Sequence, residues 1–450
     1  MPTFRAPRGT HDVLPDEHPA WARLAWIADD LAARYGYRPM ATPIFELAGV
    51  FERGIGATTD VVEKELFRLE TRGEEATALR PEATAGVVRA YIEHGMRTWA
   101  QPVRLSMLGP MFRYDRPQAG RYRQFHQWNV EAIGDPGPAI DAELIELNLR
   151  FYAEAGLTEV RAKVNAIGDG ACRPGYLAAL TAFYRKNEAR VPAGDRRRIE
   201  TNPLRLLDSK EDVLVGLNRE APRISESWCD ACREHFTVVR AHLDALGVPY
   251  DVEERLVRGL DYYTRTAWEC YRVGAEGQQQ ALGGGGRYDP LVEALGGPPT
   301  PGIGFALGIE RVLIMLAEQH ASGAGAGEAA AAGETEAPAV PGPLAVIVGA
   351  DPADTVTRLR LATDLRASGL AVGAELGQRK LGRALEGAAR EGAHFAVIIG
   401  DEMTAGNVMV RDLESASQRI VPLADLARYL ERGEARHRHG SVKEEPGGTG

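Results

Sequence analysis

FRYDRPQAGRYRQFHQ, Phe112 to Gln127, carries Arg113, Arg116, Arg121 and Arg123 across the end of one strand, a turn and the start of a second. The apolar run before it (Leu105, Met107, Leu108, Met111, Phe112) predicts a rigid strand. Such a strand delivers Arg113 as a fixed guanidinium fork able to hold a phosphate in a bidentate way. Pro117 and Gly120 break the strand, so Arg116, Arg121 and Arg123 ride on the loop. On the returning strand Gln127, Asn129 and Glu131 alternate with Trp128, Val130 and Ala132. A period of two puts the polar trio on one face of a sheet. Charge spacing alone also fits a surface hairpin with a solvated arginine cluster.

Further peptides narrow the choice. GIGFALGIER (Gly302 to Arg311) runs into an apolar helix, LVRGLDYYTRT spans Leu256 to Thr266, and GGGGRYD spans Gly283 to Asp289. Together with the arginine hairpin they resemble the bacterial-type histidyl-tRNA synthetases, class II aminoacyl-tRNA synthetases. The hairpin is similar to class II motif 2 and GIGFALGIER to motif 3, while the other two resemble the blocks that set the histidine enzymes apart. The resemblance runs from about Arg8 to Leu430. Any one of these motifs is a weak signal; four in the right order are a strong one. The implied fold is an α+β catalytic domain with an antiparallel sheet over 1–318, carrying a mostly helical insertion at about 159–252. A linker at 319–343, a C-terminal α/β anticodon-binding domain at 344–431 and a disordered tail at 432–450 complete the expectation.

Composition sets the bounds. At 450 residues the chain has room for two or three domains, each with its own core. With 53 Lys and Arg against 63 Asp and Glu the net charge is −10, so RNA must be held at local basic patches and no DNA-binding field exists. No apolar run approaches a membrane span, and the amino terminus MPTFRAPRGTHD has no apolar signal core. A cytoplasmic enzyme with no membrane partner is expected. The 4 cysteines are too few for a disulfide framework and are expected as thiols. Cys229 and Cys232, in WCDACREHF with His235 close behind, invite a zinc reading, but no second pair follows at finger-like spacing. Cys172 and Cys270 are further candidates, Cys270 in a strand-like run over Thr266 to Val273 that suits core packing. No metal ligands are therefore assigned.

Along the chain, Trp21, Leu24, Ala28, Leu31 and Tyr35 recur at helical spacing after Pro19, and Gly36 ends the helix. A short strand at Met40 to Phe45, containing Pro43, is expected next. By resemblance this helix and strand form motif 1 and build a homodimer interface; pattern alone fits a helix packed on its own core equally well. Residues from about Glu159 to Val252 read as mostly helical, with a basic run at Arg196, Arg197 and Arg198. From Gln319 to Pro343 Ala, Gly, Glu and Pro dominate, which marks the linker. Beyond it LAVIVGA (Leu344 to Ala350) and FAVIIG (Phe395 to Gly400) are β-branched runs separated by helical periodicity, the pattern of a small α/β domain.

The resemblance implies ATP-dependent ligation of L-histidine to tRNA(His) through a histidyl-adenylate. Charge gathers around one phosphorus in both steps, so positioned cations matter more than a proton relay. Arg113 is carried over to the α-phosphate, Arg311 to the outer phosphates or adenine face, and Arg258 to a bridge between the histidine carboxylate and the α-phosphate. ATP comes with Mg2+. Glu82, Ala83 and Thr84, in LRPEATAG, belong to the segment that holds the α-amino group, and Gln127 serves the backbone end. Glu131, Tyr262 and Tyr263 are the candidates for the imidazole nitrogens. Arg116, Arg121 and Arg123 are expected to meet the tRNA acceptor end, with Arg121 and Arg123 also reaching ATP. In the C-terminal domain Arg379, Lys380, Arg383 and Arg390 form a cluster that either contacts the anticodon or is a solvated face. Two positions depart from the family pattern: Ala83 stands where glycine is usual, and Gly284 where alanine is usual. The main rival reading is a non-catalytic, histidine-sensing regulatory subunit related to these synthetases; retention of Arg113, Arg258, Arg311 and the terminal α/β unit argues against it.

Overall fold

The computed structural model describes residues 4–56, 59–70, 72–73, 75–116, 120–207, 209, 211–257, 260–274, 281–321, 343–349, 351, 354–377 and 379–438. The chain divides into two compact units, Met1–Ala337 and Pro338–Gly450. Residues 322–342, most of the expected linker, and 439–450, most of the expected tail, lie outside the described residues.

The first unit is built on an eight-stranded sheet. Its strands follow the order Arg38–Pro39, Val103–Phe112, Gln124–Ile133, Gly302–Gly308, Gly283–Arg287, Thr264–Arg272, Val160–Ala166 and Tyr250–Val252. The inner pairs are antiparallel, and the two short outer strands pair in parallel. The expected alternation decides what each face buries. Trp128, Val130 and Ala132 join the cluster formed with helices His18–Arg34, Pro138–Ala155 and Asp230–Ala245. The opposite face meets helix Thr84–Glu93 and the cluster around Phe51, Val88, Met107 and Tyr288. Trp128 is fully buried and its indole N–H reaches Ser106 Oγ at 2.9 Å. Truncating such a side chain to alanine costs about 3–5 kcal/mol.

The structure differs locally from the sequence reading in three places. The strand expected at Met40 to Phe45 divides into Arg38–Pro39 and Phe45–Leu47, each in a different sheet. Pro43 brings no N–H to a ladder. The free carbonyls are taken instead by the Arg80 guanidinium, with Nη1 at 2.7 Å from Thr42 O and Nε at 2.9 Å from Pro110 O. The second difference lies at the insertion. Val160–Ala166 and Tyr250–Val252, at its expected edges, are strands of the main sheet, and helix Asp230–Ala245 packs Phe236, Val239 and Leu243 into the main core. Among the described residues of the insertion, the segment around Tyr176, Leu180, Leu206, Leu217 and Ile224 has a core of its own. Third, the last helix, Leu426–Arg438, continues past the expected end of the domain at 431.

The second unit is a five-stranded sheet in the order Val372–Ala374, Ala345–Gly349, Phe395–Ile399, Asn407–Asp412 and Gln418–Pro422. The first three strands run parallel and the last two add antiparallel. Ala345–Gly349 and Phe395–Ile399 are buried along their whole length, as their β-branched runs require.

Candidate active site

The polar face of the main sheet opens into a cleft of about 900 Å³. Pockets for small molecules run to about 1,000 Å³, so the space suits a nucleotide with an amino acid. Glu82, Thr84, Arg113, Arg121, Gln127, Tyr262, Tyr263, Gly284 and Arg311 all line it.

At one end the site is acidic and buried. Glu82 lies just ahead of helix Thr84–Glu93, and its two oxygens each accept a backbone N–H at 2.8 Å, from Thr84 and Ala85. A carboxylate there satisfies orphan donors and meets the positive end of the helix dipole. Thr84 Oγ1 in turn donates to Glu131 Oε1 at 2.6 Å, and Tyr288 OH donates to Glu131 Oε2 at 2.7 Å. Burial pushes the Glu131 carboxyl up to about 8; the nearby Glu82 adds to the rise, while the two hydroxyl donors oppose it. Burial likewise raises Glu82, against its hydrogen bonds and the Arg113 charge. Tyr262 and Tyr263 sit with ring centroids 4.6 Å apart, and Tyr262 is 6.0 Å from Tyr288. Gly304 is required here: a Cβ on it would stand 1.8 Å from Glu131 Oε2.

At the other end the site is cationic. Arg113 follows the Val103–Phe112 strand, its Nε bonded to Pro81 O at 2.9 Å and its guanidinium 5.4 Å from the Phe125 ring centroid. Arg311, in the first turn of helix Ile309–Ala321, donates through Nε to Gly120 O at 3.2 Å and through Nη1 to Ala281 O. Burial pulls the Arg311 guanidinium below its ordinary value, and the neighbouring Arg121 and Arg113 charges pull it further. Arg121 is paired with Asp115 at 3.0 Å. Three cations on one cleft, drawn from the hairpin and a distant helix, are chemically able to hold a polyanion.

Other expected residues fall elsewhere. Arg123 stacks on the Tyr114 ring at 3.8 Å and is not among the residues lining the cleft, and Arg116 is exposed on the loop. Arg258 lies outside the described residues. Ala83 is fully buried with an ordinary helical backbone (φ −93°, ψ −37°), so its methyl group is accommodated without strain. In the second unit Arg379, Lys380 and Arg383 are exposed; Arg379 pairs with Glu375 at 3.3 Å, and Arg390 pairs with Glu386 at 3.5 Å.

Some residues of the site were not anticipated. Tyr288 follows Arg287 in the GGGGRYD block, and strand alternation was the available signal: Arg287 points to the opposite side, into a buried pair with Asp141 at 2.7 Å. Glu310, beside Arg311, accepts the His126 backbone N–H at 2.8 Å and ties the hairpin to the helix. Arg205, Arg219 and Arg255, from the insertion side, also line the cleft.

Comparison with known proteins bears on the whole chain. Residues 9–312 match the family model described as Histidyl-tRNA synthetase, and residues 343–432 match that described as Anticodon binding domain. The chain belongs to the histidyl-tRNA synthetase family. It is 46% identical to a histidine–tRNA ligase of Anaeromyxobacter dehalogenans, across 93% of this chain and 97% of that one. A histidine–tRNA ligase of Moorella thermoacetica is 44% identical across 95% and 97%. Among solved structures, apo histidyl-tRNA synthetase of S. aureus aligns with a TM-score of 0.76 at 33% identity, covering 95% of this chain and all of that one. The family places the chain among class II aminoacyl-tRNA synthetases, ATP-using ligases, and does not favour the regulatory-subunit reading. Among the described residues no helix is long and apolar enough to cross a membrane.

Proposed function

We propose that this chain activates L-histidine with ATP and transfers it to tRNA(His), with the acidic end of the cleft reading the amino acid and the cationic end holding the nucleotide. The observation that carries this reading is the convergence of Glu82, Thr84, Tyr262, Arg113, Arg121 and Arg311 on one cleft, with Glu131 held beneath it by Thr84 and Tyr288.

Histidine lies with its imidazole toward Glu131, Tyr262, Tyr263 and Tyr288 and its ammonium toward Glu82 and Thr84. Both ends of the ligand then meet fixed polar partners. Gln127 Oε1 is buried and bonded to no group of the protein among the described residues, so it is free to accept from the amino-acid backbone. Arg113 holds the α-phosphate, Arg311 the outer phosphates or the adenine face, and Arg258 bridges carboxylate and α-phosphate. The carboxylate attacks the α-phosphorus and pyrophosphate leaves; the terminal ribose hydroxyl of the tRNA then attacks the acyl carbon and AMP leaves. Donors anchored on main-chain carbonyls need little rearrangement as charge develops. Mg2+ would accompany ATP, and carboxylates on the cleft wall such as Glu269 are the kind of hard oxygen donor that would hold it.

Arg116, Arg121 and Arg123 meet the acceptor end of the tRNA, and Arg379, Lys380 and Arg383 meet the anticodon side. The chain works as a cytoplasmic homodimer. Supporting a dimer, Ile44, Phe45, Leu47 and Leu69 are large apolar side chains left exposed on and beside the three-stranded sheet of the first unit.

Histidine-dependent ATP–pyrophosphate exchange, followed by charging of tRNA(His), tests the reading. Exchange is expected in the wild type with magnesium and abolished in Arg258→Ala while the protein stays folded. Histidine binding without exchange would return the regulatory reading to favour.

A further inference from the structure

Outside the cleft the fold gathers a set of metal-ligating groups that the expected reaction does not use. Asp169, Cys172, Cys229 and Cys232 each offer an atom within 4.8 Å of all the others. Asp169 and Cys172 lie where the chain leaves the Val160–Ala166 strand, and Cys172 immediately precedes helix Arg173–Lys186. Cys229 immediately precedes helix Asp230–Ala245, with Cys232 in its first turn. None of the four lines the cleft.

Three of the separations match a tetrahedron, and the rest fall within 4.8 Å. With a zinc–sulfur bond of about 2.3 Å and a zinc–oxygen bond of about 2.0 Å, ligand atoms stand roughly 3.8 Å apart for two sulfurs and roughly 3.5 Å for sulfur and oxygen. Cys172 Sγ is 3.8 Å from Cys232 Sγ and 3.6 Å from Asp169 Oδ1, and Cys229 Sγ is 3.8 Å from Asp169 Oδ1. Neighbouring groups hold the carboxylate and one thiol in place. Arg265 Nη2 lies 3.3 Å from Asp169 Oδ2, the Ala171 N–H donates to Asp169 Oδ1 at 3.0 Å, and the Asp169 N–H donates to Cys172 Sγ at 3.4 Å. His235, the other candidate ligand in this stretch, is turned away and bonded to Asp141 at 2.8 Å.

We propose that Asp169, Cys172, Cys229 and Cys232 form a closed, structural zinc site that ties together the two ends of the helical insertion. A donor set of three thiolates and one carboxylate leaves no position for substrate, which marks a structural rather than a catalytic site. Its place in the fold gives the purpose. The segment Arg173–Trp228 departs at one ligand pair and returns at the other, so a metal pinning both pairs shortens the unfolded excursions of a unit with a small core.

The test uses the full-length enzyme, purified under reducing conditions, stripped of metal and incubated with zinc. Elemental analysis is expected to give about one zinc per chain, and X-ray absorption three sulfurs at about 2.3 Å with one oxygen at about 2.0 Å. Cobalt loading of the same wild-type protein is expected to give thiolate charge-transfer bands, a readout that does not depend on any variant folding. Cys172→Ser with Cys232→Ser is expected to lose the metal, Asp169→Ala to bind it at least about 10-fold more weakly. Removing the metal is expected to open Arg173–Trp228 to proteolysis. A wild type that takes up far less than stoichiometric zinc, that binds it through nitrogen and oxygen only, or that forms a Cys172–Cys232 disulfide in place of the metal would overturn the proposal. Pyrophosphate exchange measured on the same samples reports separately on the proposed reaction.

Discussion

The two units hold their cations in opposite ways. In the first, Arg113 and Arg311 are half-buried and bonded to the main chain at Pro81, Gly120 and Ala281, and their heads share one cleft. In the second, Arg379 and Arg390 project into solvent, 58% and 81% exposed, each paired with a carboxylate one helical turn's spacing away in the chain. The former arrangement fixes direction, and charge in a partly desolvated site is strong. The latter fixes only location, and salt screens it. Chemistry is expected from the first and long-range capture of RNA from the second.

The largest effect that can break this contrast is on the reaction itself. Arg113→Ala is expected to lower pyrophosphate exchange by about 10²–10³-fold, the scale for removing one preorganised donor, with an unchanged circular dichroism spectrum. A loss of only a few-fold would mean that the anchored guanidinium does not meet the phosphate. Next in size, removing residues 322–450 is expected to lower tRNA charging by about 10²-fold through loss of the second contact, while exchange stays within a factor of about three. Equal losses in both assays would erase the division between the units.

Glu131→Gln sharpens the acidic end. Loss of one buried hydrogen-bonding carboxyl is expected to lower kcat/KM for histidine by roughly 10–100-fold, corresponding to about 1–3 kcal/mol. The same variant carries a pH signature. A carboxyl whose folded value is raised to about 8 gives stability that is complete below its unfolded value near 4.5 and disappears as pH climbs through 8. The amide does not titrate, so the melting temperature of Glu131→Gln minus that of wild type is expected to grow between about pH 4.5 and 8. A flat difference in thermal melts across that range would contradict the burial of this acid. Smallest is Arg379→Ala with Arg383→Ala, expected to slow charging a few-fold at low salt and to have no effect near ~0.5 M salt, where the screening length falls below about 5 Å. Salt-independent loss would point to a direct, desolvated contact instead.

How far these features could be read in advance depended on how local their cause is. The arginine hairpin was readable because a period of two and a Pro117–Gly120 break are written in consecutive residues, and the polar trio did emerge on one face. Motif 3 was readable as a glycine strand running into a helix. The strand at Val160–Ala166 was hidden although its apolar positions alternate, because two of the four are alanine and a basic, helix-rich stretch follows it. Tyr288 on Glu131 needed the strand register that sets Gly304 opposite both Glu131 and Gly286. The cluster at Asp169 was the least readable, since its two ligand pairs are separated in the chain by the whole segment Arg173–Trp228 and meet only through the sheet and helix Asp230–Ala245.

A structure of the full chain with a non-hydrolysable histidyl-adenylate analogue tests the central claim most directly. The account predicts the imidazole within hydrogen-bonding distance of Glu131 or one of the tyrosines Tyr262, Tyr263 and Tyr288, with the phosphate mimic against Arg113 and the rest of the nucleotide beside Arg311. An analogue bound with its ring away from Glu131, or with Arg113 and Arg311 both out of contact, would contradict it.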